Sequence, residues 1–383
     1  DLHGTIQPIL LAIGLAHDLG NPPFGHQGES AMGAWFDARS SWIFSKLGPT
    51  GEGVPVSVPN ELRSEFLKFD GNPQSLRLIA QLQTSVAHAG LDLTAATLAA
   101  SLKYPVGSAG LDKKRPIRKK IGYFESERAV VEWFRGETGL GEGQRHPLTW
   151  IMEACDDIAY SVLDVDDAMK KCVVSPDDVL SILETDSRLA GNSAVEKLRE
   201  RFAKAQSAGR SPEIARDIKI GYFRATMLDA LVGDASSAFI VQKADILDLK
   251  EASPLMDGSM LCDALKGVAR QYAFSNSRVL EMEAVGAAAI QGLMTMFWSA
   301  ISNRDDYDDL LSRRTNPADK YVYALISPNY LEAASRPVDG AAGSVRYREL
   351  RLLTDMISGM TDSFTIKFWE QLKDFYERAG AQS

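Results

Sequence analysis

Apolar residues recur at every third or fourth position along most of the chain, a pattern typical of helices that bury one face. This spacing predicts helices over 9–19, 75–88, 91–102, 127–135, 148–171, 176–184, 194–206, 222–232, 280–301, 319–326, 328–335 and 346–378. Alternating strand patterns are scarce, and the segment 54–59 contains too much proline for a central strand. We therefore predict an all-α fold.

Glycine, proline and polar residues collect between the helical segments, where we predict loops at 48–60, 105–118, 136–147 and 207–213. No repeat of fixed period is visible. We expect a compact helical core over residues 1–185 and a C-terminal region of additional helices over residues 186–383, packed on that core.

Composition narrows the class of protein. The chain has 383 residues, of which 45% are hydrophobic and 24% charged, as in ordinary globular proteins. The net charge of -9 disfavours a main role in coating nucleic acid. Three scattered cysteines without a CxxC pair indicate a reducing compartment, so we expect a cytoplasmic protein. The apolar stretches 9–16 and 284–298 are shorter than the ~20 residues of a membrane span.

One segment opposes the acidic trend. The run KKRPIRKK at 113–120 holds six basic residues in eight positions, and its proline excludes a regular helix. The simplest interpretation is a solvated loop. In an acidic protein, however, such a run also creates a local field that suits phosphate groups.

Two of the five histidines lie nine residues apart in AHDLGNPPFGHQGE at 16–29. The apolar run 9–16 predicts a buried helix that ends at His17 and Asp18. An imidazole and a carboxylate at the end of a buried helix can be balanced by a divalent cation. The alternative is a helix-capping histidine with a capping aspartate.

A second candidate lies in the predicted helix 148–171. Asp156, Tyr160 and Asp164 are four residues apart, so they share one face of that helix within a ~80° arc. Because most neighbouring residues are apolar, this stripe is a candidate for cation binding or catalysis. A row of surface caps and ion pairs is the alternative.

These segments resemble a known family when they are taken together with four others. The others are FDGNPQSLR at 69–77, LDLTAATLAASLKYP at 91–105, IGYFESE at 121–127 and LRLLTDMISGMTDSF at 350–364. The set resembles the HD-domain superfamily of metal-dependent phosphohydrolases, and within it the deoxyguanosinetriphosphate triphosphohydrolase (dGTPase) family. An HD pair alone is a weak signal, whereas this combination is specific and spans most of the chain.

The resemblance implies roles for individual residues. His17, Asp18 and Asp156 would be metal ligands, with Asp156 preferred to Asp157 because the family's last ligand follows a small residue. His26 and Glu29 resemble the catalytic pair, in which the glutamate orients the histidine.

The resemblance also implies a substrate pocket. Tyr160 and Asp164 resemble residues that contact the deoxyribose, Lys103 and Tyr104 resemble residues that bind the triphosphate, and Asn72 would line the site. Without the resemblance, Lys103 and Tyr104 would be an ordinary helix end, and Asn72 would be a turn residue.

One expected ligand is missing from the sequence. The family's metal site contains a further histidine, in an RxxHS-type segment before the HD helix, and no such segment is present. His3 stands only 14 residues before His17 and in a different context. We therefore expect the first ligand upstream of Asp1; without it, three protein ligands would remain.

The resemblance implies hydrolysis of a deoxynucleoside triphosphate, above all dGTP, to the deoxynucleoside and inorganic triphosphate. The implied cofactor is a divalent cation, namely Mg, Mn or Co, and the implied assembly is a homo-oligomer that single-stranded DNA could modulate. Two alternatives stay open. One is an HD-type nucleotidase or phosphodiesterase with another leaving group, and the other is a non-catalytic protein that binds dNTPs or single-stranded DNA.

Overall fold

The computed structural model describes residues 2–48, 50–53, 55–83, 90–207, 209–336, 338 and 340–380. Within these ranges helices are the regular elements, and strand-like pairing is limited to one isolated bridge between Lys46 and Pro55. The predicted all-α fold is therefore confirmed. The helices are α1 Gln7–Ala16, α2 Gly25–Asp37, α3 Asn60–Leu67, α4 Gly71–Arg77, α5 Ala95–Ser101, α6 Arg128–Thr138, α7 Pro147–Lys170, α8 Pro176–Thr185, α9 Ser193–Ser207, α10 Pro212–Leu247, α11 Met260–Val268, α12 Ser277–Ser302, α13 Pro317–Tyr323, α14 Pro328–Ser335, α15 Val345–Ser358 and α16 Asp362–Gly380.

The observed helices differ from the predicted ones at a few places. The predicted helix 346–378 is two helices, α15 and α16, because the chain turns after Ser358. The predicted helix 75–88 begins earlier, at Gly71, and its residues 84–88 lie outside the described ranges. The segment 222–232 is the middle of the much longer α10, while α2, α3 and α11 were not among the periodic segments.

The chain forms two compact units. Unit 1 contains residues 1–146 and 283–383, and unit 2 contains residues 147–282. The predicted division at 185/186 falls inside unit 2, directly after α8. The division into a core over 1–185 and a C-terminal helical region over 186–383 stays a prediction.

Unit 1 is built around a core rich in aromatic residues. Helices α2, α12 and α15 supply much of this core, and the rings of Trp35, Phe36 and Trp298 pack edge to face within it. Helix α12 is long and apolar enough to cross a membrane by length and composition, but half of that stretch is buried in the protein. Its buried apolar residues from Ile290 onward belong to the core of unit 1.

The prediction that the run 9–16 forms a buried helix is wrong for most of its residues. In α1 only Ile13 and Ala16 are buried, whereas the side chains of Leu11 and Leu15 are 62% and 82% exposed. A continuous apolar run carries no polar face, so its periodicity cannot tell which side meets the core. The helix packs against α5.

Unit 2 consists of long helices that pack side by side. Helix α7 packs on α10 and α11, and α10 also packs on α9. The 36 residues of α10 span ~54 Å at 1.5 Å per residue. The face of α7 that turns into this unit carries Ile158, Val162 and Met169, all buried. The opposite face is the one that carries the predicted site residues.

Candidate active site

The predicted metal pair lies where α1 ends. The Nδ1 atom of His17 is 2.8 Å from the carbonyl oxygen of Gly14. A carbonyl only accepts, so Nδ1 carries the proton and Nε2 carries the lone pair. The Nε2 atom lies 3.4 Å from Oδ2 of Asp18, whose side chain is 41% exposed. A neutral imidazole nitrogen beside a carboxylate oxygen is a donor pair that suits divalent metal ions.

One serine holds the turn after His17 against α4. The Ser75 hydroxyl donates to the carbonyl of His17 at 2.8 Å and accepts from the N–H of Gly20 at 2.9 Å. A Cβ on Gly20 would lie 2.1 Å from the backbone nitrogen of Ser75. Glycine is therefore required for this close approach, which fixes the backbone immediately after the metal pair.

The loop between the two histidines depends on residues from the far end of the chain. Phe24 adopts a left-handed backbone with φ of 62°, which is unusual for a residue with a side chain. Its N–H donates to Oδ1 of Asp362 at 2.9 Å. Its ring lies against Gly286, where a Cβ would come within 2.6 Å of the ring carbons. Gly286 and Asp362 therefore hold Phe24 at the start of α2, two residues before His26.

Glu29 is tied to a neighbouring turn. Its Oε1 accepts from the N–H of Gly71 at 2.7 Å, whereas His26 is exposed on the same helix. Burial, followed by the charge of Asp70, raises the pKa of Glu29, while nearby His26 lowers it. In the described part of the chain, the Glu29 carboxylate is thus bonded to backbone rather than to the imidazole that it was expected to orient.

Asn72 belongs to the same turn. Asp70 caps α4 by accepting from the N–H of Asn72 at 2.9 Å and from its side-chain amide at 2.6 Å. The other carboxylate oxygen of Asp70 pairs with Nζ of Lys120 at 2.5 Å. The Asn72 side chain is therefore held by Asp70, which in turn connects α4 to the basic run.

Three of the sequence segments meet in one buried ion network. Arg77 of 69–77 donates two hydrogen bonds to Asp355 of 350–364, from Nε at 2.8 Å and from Nη2 at 2.7 Å. Its Nη1 atom donates to Glu127 of 121–127 at 2.7 Å. All three side chains are almost fully buried. The three segments therefore meet inside unit 1, where the buried guanidinium of one segment pairs with buried carboxylates of the other two.

Lys103 and Tyr104 follow α5 and are fixed by a residue that the sequence did not suggest. The buried guanidinium of Arg145 donates to the carbonyl of Lys103 from Nε at 2.9 Å and from Nη2 at 2.6 Å. Tyr104 is buried, and a Cβ on Gly122 would overlap its carbonyl oxygen at 1.6 Å. The pair is thus part of a tightly packed turn.

Helix α7 presents Asp156, Tyr160 and Asp164 along one face in unit 2, as their spacing predicted. Asp156 and Asp164 are half-buried, and Tyr160 is 48% exposed. Burial, followed by the charge of Asp167, raises the pKa of Asp164. The exposure of Tyr160 argues against a purely structural role as a core aromatic.

The two adjacent aspartates of α7 differ in their surroundings. Oδ1 of Asp157 pairs with Nζ of Lys266 on α11 at 3.0 Å, inside unit 2. Asp156 is one residue, or about 100° of helix rotation, away from that pair. Asp157 therefore has a structural partner within unit 2, and the choice of Asp156 as the ligand stays a prediction.

The other histidines fall outside this constellation. His3 is exposed, and its Nδ1 lies 3.0 Å from the side-chain oxygen of Gln7. Burial lowers the pKa of His146. His88 lies outside the described residues.

Sequence reasoning missed several residues that hold the site in place, among them Asp70, Arg145, Gly286 and Asp362. Only Asp70 carried a local signal, because an aspartate before Gly-Asn is a common helix cap. The other three act on residues far away in sequence, so no local pattern marks them.

Comparison with known proteins identifies the relatives of this chain. It is 31% identical over 400 aligned positions to a deoxyguanosinetriphosphate triphosphohydrolase-like protein of Listeria monocytogenes, an alignment that covers 99% of this chain and 78% of that protein. It is 32% identical over 417 positions to the deoxyguanosinetriphosphate triphosphohydrolase of Salmonella typhimurium, covering 97% and 79%. No family model matches the chain.

Similarity of this extent, on an all-α fold that carries the HD pair, defines the chain as a hydrolase. The chain belongs to the deoxyguanosinetriphosphate triphosphohydrolase family. The resemblance drawn from its motifs is thereby confirmed.

Proposed function

We propose that this protein hydrolyses dGTP to deoxyguanosine and inorganic triphosphate with the help of a divalent metal ion. The observation that carries the proposal is the similarity to dGTPases over nearly the whole chain, which includes every segment discussed above. The exposed His26, three residues before the half-buried Glu29 on α2, favours catalysis over simple binding, because a protein that only binds a nucleotide has no need of an acid–base pair.

The donor set supports the metal. His17, Asp18 and Asp156 offer one imidazole nitrogen and two carboxylate oxygens, and the tautomer of His17 leaves the lone pair on Nε2. Mg, Mn and Co all accept such donors. A divalent ion held by these residues would supply Lewis-acid activation of the α-phosphate and of the attacking water.

The remaining chemistry is assigned to side chains of this chain. Water attacks the α-phosphorus and releases its proton, while the bond from phosphorus to the 5′-oxygen breaks. His26 donates a proton to that departing oxygen. Glu29 anchors the first turn of α2 to Gly71, which keeps His26 in register with the turn that carries Asn72. Lys103 balances charge on the triphosphate, and the Tyr104 hydroxyl donates a hydrogen bond to it.

Specificity for the sugar is assigned to α7. Tyr160 stands one helical turn, about 6 Å, beyond Asp156 on the same face. A ring at that distance from the α-phosphate would pack on C2′ and leave no room for a hydroxyl. Asp164, a further turn along, would accept from the 3′-hydroxyl, which ribonucleotides also carry.

We also propose a cytoplasmic location. All three cysteines are free, which fits a reducing cytoplasm. The homo-oligomer and the effect of single-stranded DNA stay predictions.

Product analysis on all four dNTPs tests the proposal. We expect dGTP to give deoxyguanosine and triphosphate in equal amounts with Mn²⁺ or Mg²⁺ and to be stable in EDTA. His26→Ala should lower kcat by about 10²–10⁴-fold. The same change at the exposed neighbouring residue, Gln27→Ala, should leave kcat unchanged. Release of dGMP and pyrophosphate would contradict the proposed bond cleavage, and no turnover of any dNTP would contradict catalysis itself.

A further inference from the structure

The short helix α4 connects the metal pair to the buried ion network of unit 1. It has only seven residues, Gly71–Arg77, and a helix of this length is not stable by itself in water. Six of the seven residues are buried. The position of α4 is therefore set by the elements that pack against it, and it can pass a change on one side to the other.

One face of α4 fits closely against the turn at residues 17–20, which we call the HD turn. Gly71 and Ser75 are four residues apart and share this face. A Cβ on Gly20 would lie 2.1 Å from the backbone nitrogen of Ser75 and 2.3 Å from the carbonyl oxygen of Gly71. The Ser75 hydroxyl also bonds to the backbone at both ends of the HD turn. Because these backbones are in direct contact, a displacement of α4 must displace the HD turn as well.

Another face of α4 is held by a single carboxylate of α15. Gln74 and Arg77 are three residues apart, and both donate hydrogen bonds to Asp355. Nε2 of Gln74 donates to Oδ1 at 3.0 Å, and Arg77 donates from Nε at 2.8 Å and from Nη2 at 2.7 Å. Among the described residues, every side-chain hydrogen bond that the Asp355 carboxylate accepts comes from α4. The residue that Asp355 holds, Gln74, directly precedes the residue that holds the HD turn, Ser75.

Helix α15 is a firm support for this contact. Twelve of its fourteen residues are buried, and Asp355 itself is 0% exposed, so water cannot take its place. Its hydrogen bonds with Arg77 are charge-assisted and come from two nitrogens of one guanidinium, which restricts direction as well as distance. Asp355 therefore ties α4 to the core of unit 1 in one orientation.

We propose that Asp355 is a positioning residue for the metal pair of His17 and Asp18, and that it acts through α4 and Ser75. Asp355 holds α4 against α15, and Ser75 then keeps the HD turn in one place. Ligands that are already held in place lose less freedom when an ion binds, and removing such a support typically costs about 10–100-fold in metal affinity. The role rests on the proposed function, because it requires a metal ion at this pair.

Equilibrium dialysis of Mn²⁺ against the full chain tests this role. Asp355→Asn keeps the shape of the side chain but removes its charge and one acceptor oxygen, and we expect it to weaken Mn²⁺ binding about tenfold. Ser75→Ala removes the hydroxyl that links α4 to the HD turn, and should weaken binding by a similar factor. If Asp355 acts through Ser75, the double variant binds Mn²⁺ about as weakly as either single variant. Losses that multiply to about a hundredfold would contradict this route.

A second variant decides the question if Asp355→Asn does not fold. Gln74→Met removes the hydrogen bond to Asp355 but leaves the pair of Arg77 and Asp355 intact. The Oε1 atom of Gln74 is buried without a hydrogen-bond partner among the described residues, so its loss should cost little stability. We expect Gln74→Met to weaken Mn²⁺ binding about fivefold, as the loss of one hydrogen bond would. Unchanged Mn²⁺ affinity in this folded variant would overturn the proposal.

Tyr347→Phe provides the matched control, because it also removes a buried hydrogen bond of α15. The Tyr347 hydroxyl donates to Glu65 at 2.5 Å, and Glu65 belongs to α3 rather than to α4. We expect this variant to lose stability in urea unfolding but to bind Mn²⁺ within about twofold of the wild type. An equal loss of Mn²⁺ affinity in Tyr347→Phe and Asp355→Asn would indicate general loosening of the core, and would overturn the positioning role.

Amide hydrogen exchange gives a readout that needs no metal. The N–H of Gly20 donates to the Ser75 hydroxyl at 2.9 Å, so its exchange rate reports how firmly α4 holds the HD turn. In Asp355→Asn this rate should rise about tenfold, in step with the loss of Mn²⁺ affinity, whereas Tyr347→Phe should leave it unchanged. An unchanged rate in folded Asp355→Asn would contradict the connection through α4.

The wild type separates failure of this role from failure of the proposed function. If the wild type does not bind Mn²⁺, the proposed metal site is wrong, and the positioning role falls with it. If the wild type binds Mn²⁺ and Asp355→Asn binds it equally well, only the positioning role is wrong, and the proposed hydrolysis stands.

Discussion

The two units of this protein hold their candidate site residues by different means. In unit 1, His17 follows the end of α1 and His26 lies in the first turn of α2, and the backbone beside each is fixed by contacts with segments far away in sequence, such as Ser75 on His17 and Asp362 on Phe24. In unit 2, Asp156, Tyr160 and Asp164 stand on one uninterrupted helix. The first arrangement depends on tertiary structure, whereas the second depends on helix periodicity alone.

The units also differ in their charged interiors. Unit 1 buries ion pairs such as Arg77–Asp355, with side chains that are 5% and 0% exposed. In unit 2, pairs such as Lys197–Asp229 remain exposed, at 48% and 74%. Removing one partner of a buried pair leaves an uncompensated charge, so unit 1 should be much more sensitive to loss of a single charge.

The largest expected effect comes from Asp355→Ala. It leaves the buried guanidinium of Arg77 with Glu127 as its remaining acidic partner in the network. We expect the free energy of unfolding to fall by ~3–5 kcal/mol. In unit 2, Asp229→Ala should cost less than ~1 kcal/mol, since its pair is exposed. Urea unfolding of both variants checks this contrast, and similar losses would break the comparison between the units.

A buried carboxylate should make the folding stability of unit 1 depend on pH. Glu65 accepts hydrogen bonds from Tyr347 and Arg351, but burial dominates and raises the pKa of Glu65 to about 7. The folded state then holds the proton more tightly than the unfolded state. The contribution of Glu65 to the free energy of unfolding is fully present below about pH 4.5 and is lost as the pH rises through 7.

Glu65→Gln should remove that dependence. The advantage of the wild type over the variant should shrink by ~3 kcal/mol from pH 4.5 to pH 8. The same change at Glu142, an exposed residue, serves as the control. Unfolding free energies measured across this range decide the matter, and parallel curves for wild type and Glu65→Gln would refute it.

Gly286→Ala should disturb the loop before His26. The added methyl group would meet the ring of Phe24 at 2.6 Å, and such overpacking typically costs ~1–3 kcal/mol. We expect kcat to fall about tenfold with little change in KM, because the shift moves His26 rather than the pocket. Gly292→Ala on the same helix meets the Trp369 ring instead and controls for general strain in α12. Equal effects of the two variants on kcat would contradict a role in positioning His26.

The smallest effect is expected on α7, where the side chain can be removed without disturbing the helix. Tyr160→Ala should lower the preference for dGTP over GTP in kcat/KM by about tenfold, since a buried hydroxyl without a partner costs ~1–3 kcal/mol. Leu163→Ala, which is also partly exposed on α7, should leave this preference unchanged. A wild-type ratio near one would eliminate the role of Tyr160 in sugar selection.

The contrast between the units explains what the sequence could predict. Periodicity located α7, α8 and α12 closely, and it placed the three residues of α7 on one face because helix geometry is local. The burial of α1 could not be predicted, since its apolar run has no polar side. The contacts of Asp362 with Phe24 and of Arg145 with Lys103 join residues 338 and 42 positions apart, and chain folding alone brings them together.

Asp156, and not its neighbour Asp157, is the aspartate that we propose as a ligand of the catalytic metal ion. Equilibrium binding of Mn²⁺ to the wild type, Asp156→Asn and Asp157→Asn tests it most directly, because the two variants make the same chemical change at adjacent positions. We predict that Asp156→Asn weakens Mn²⁺ binding by about 100-fold or more, whereas Asp157→Asn, which loses only its pair with Lys266, binds as the wild type does. Unchanged Mn²⁺ affinity in Asp156→Asn would contradict the assignment of Asp156 as a metal ligand.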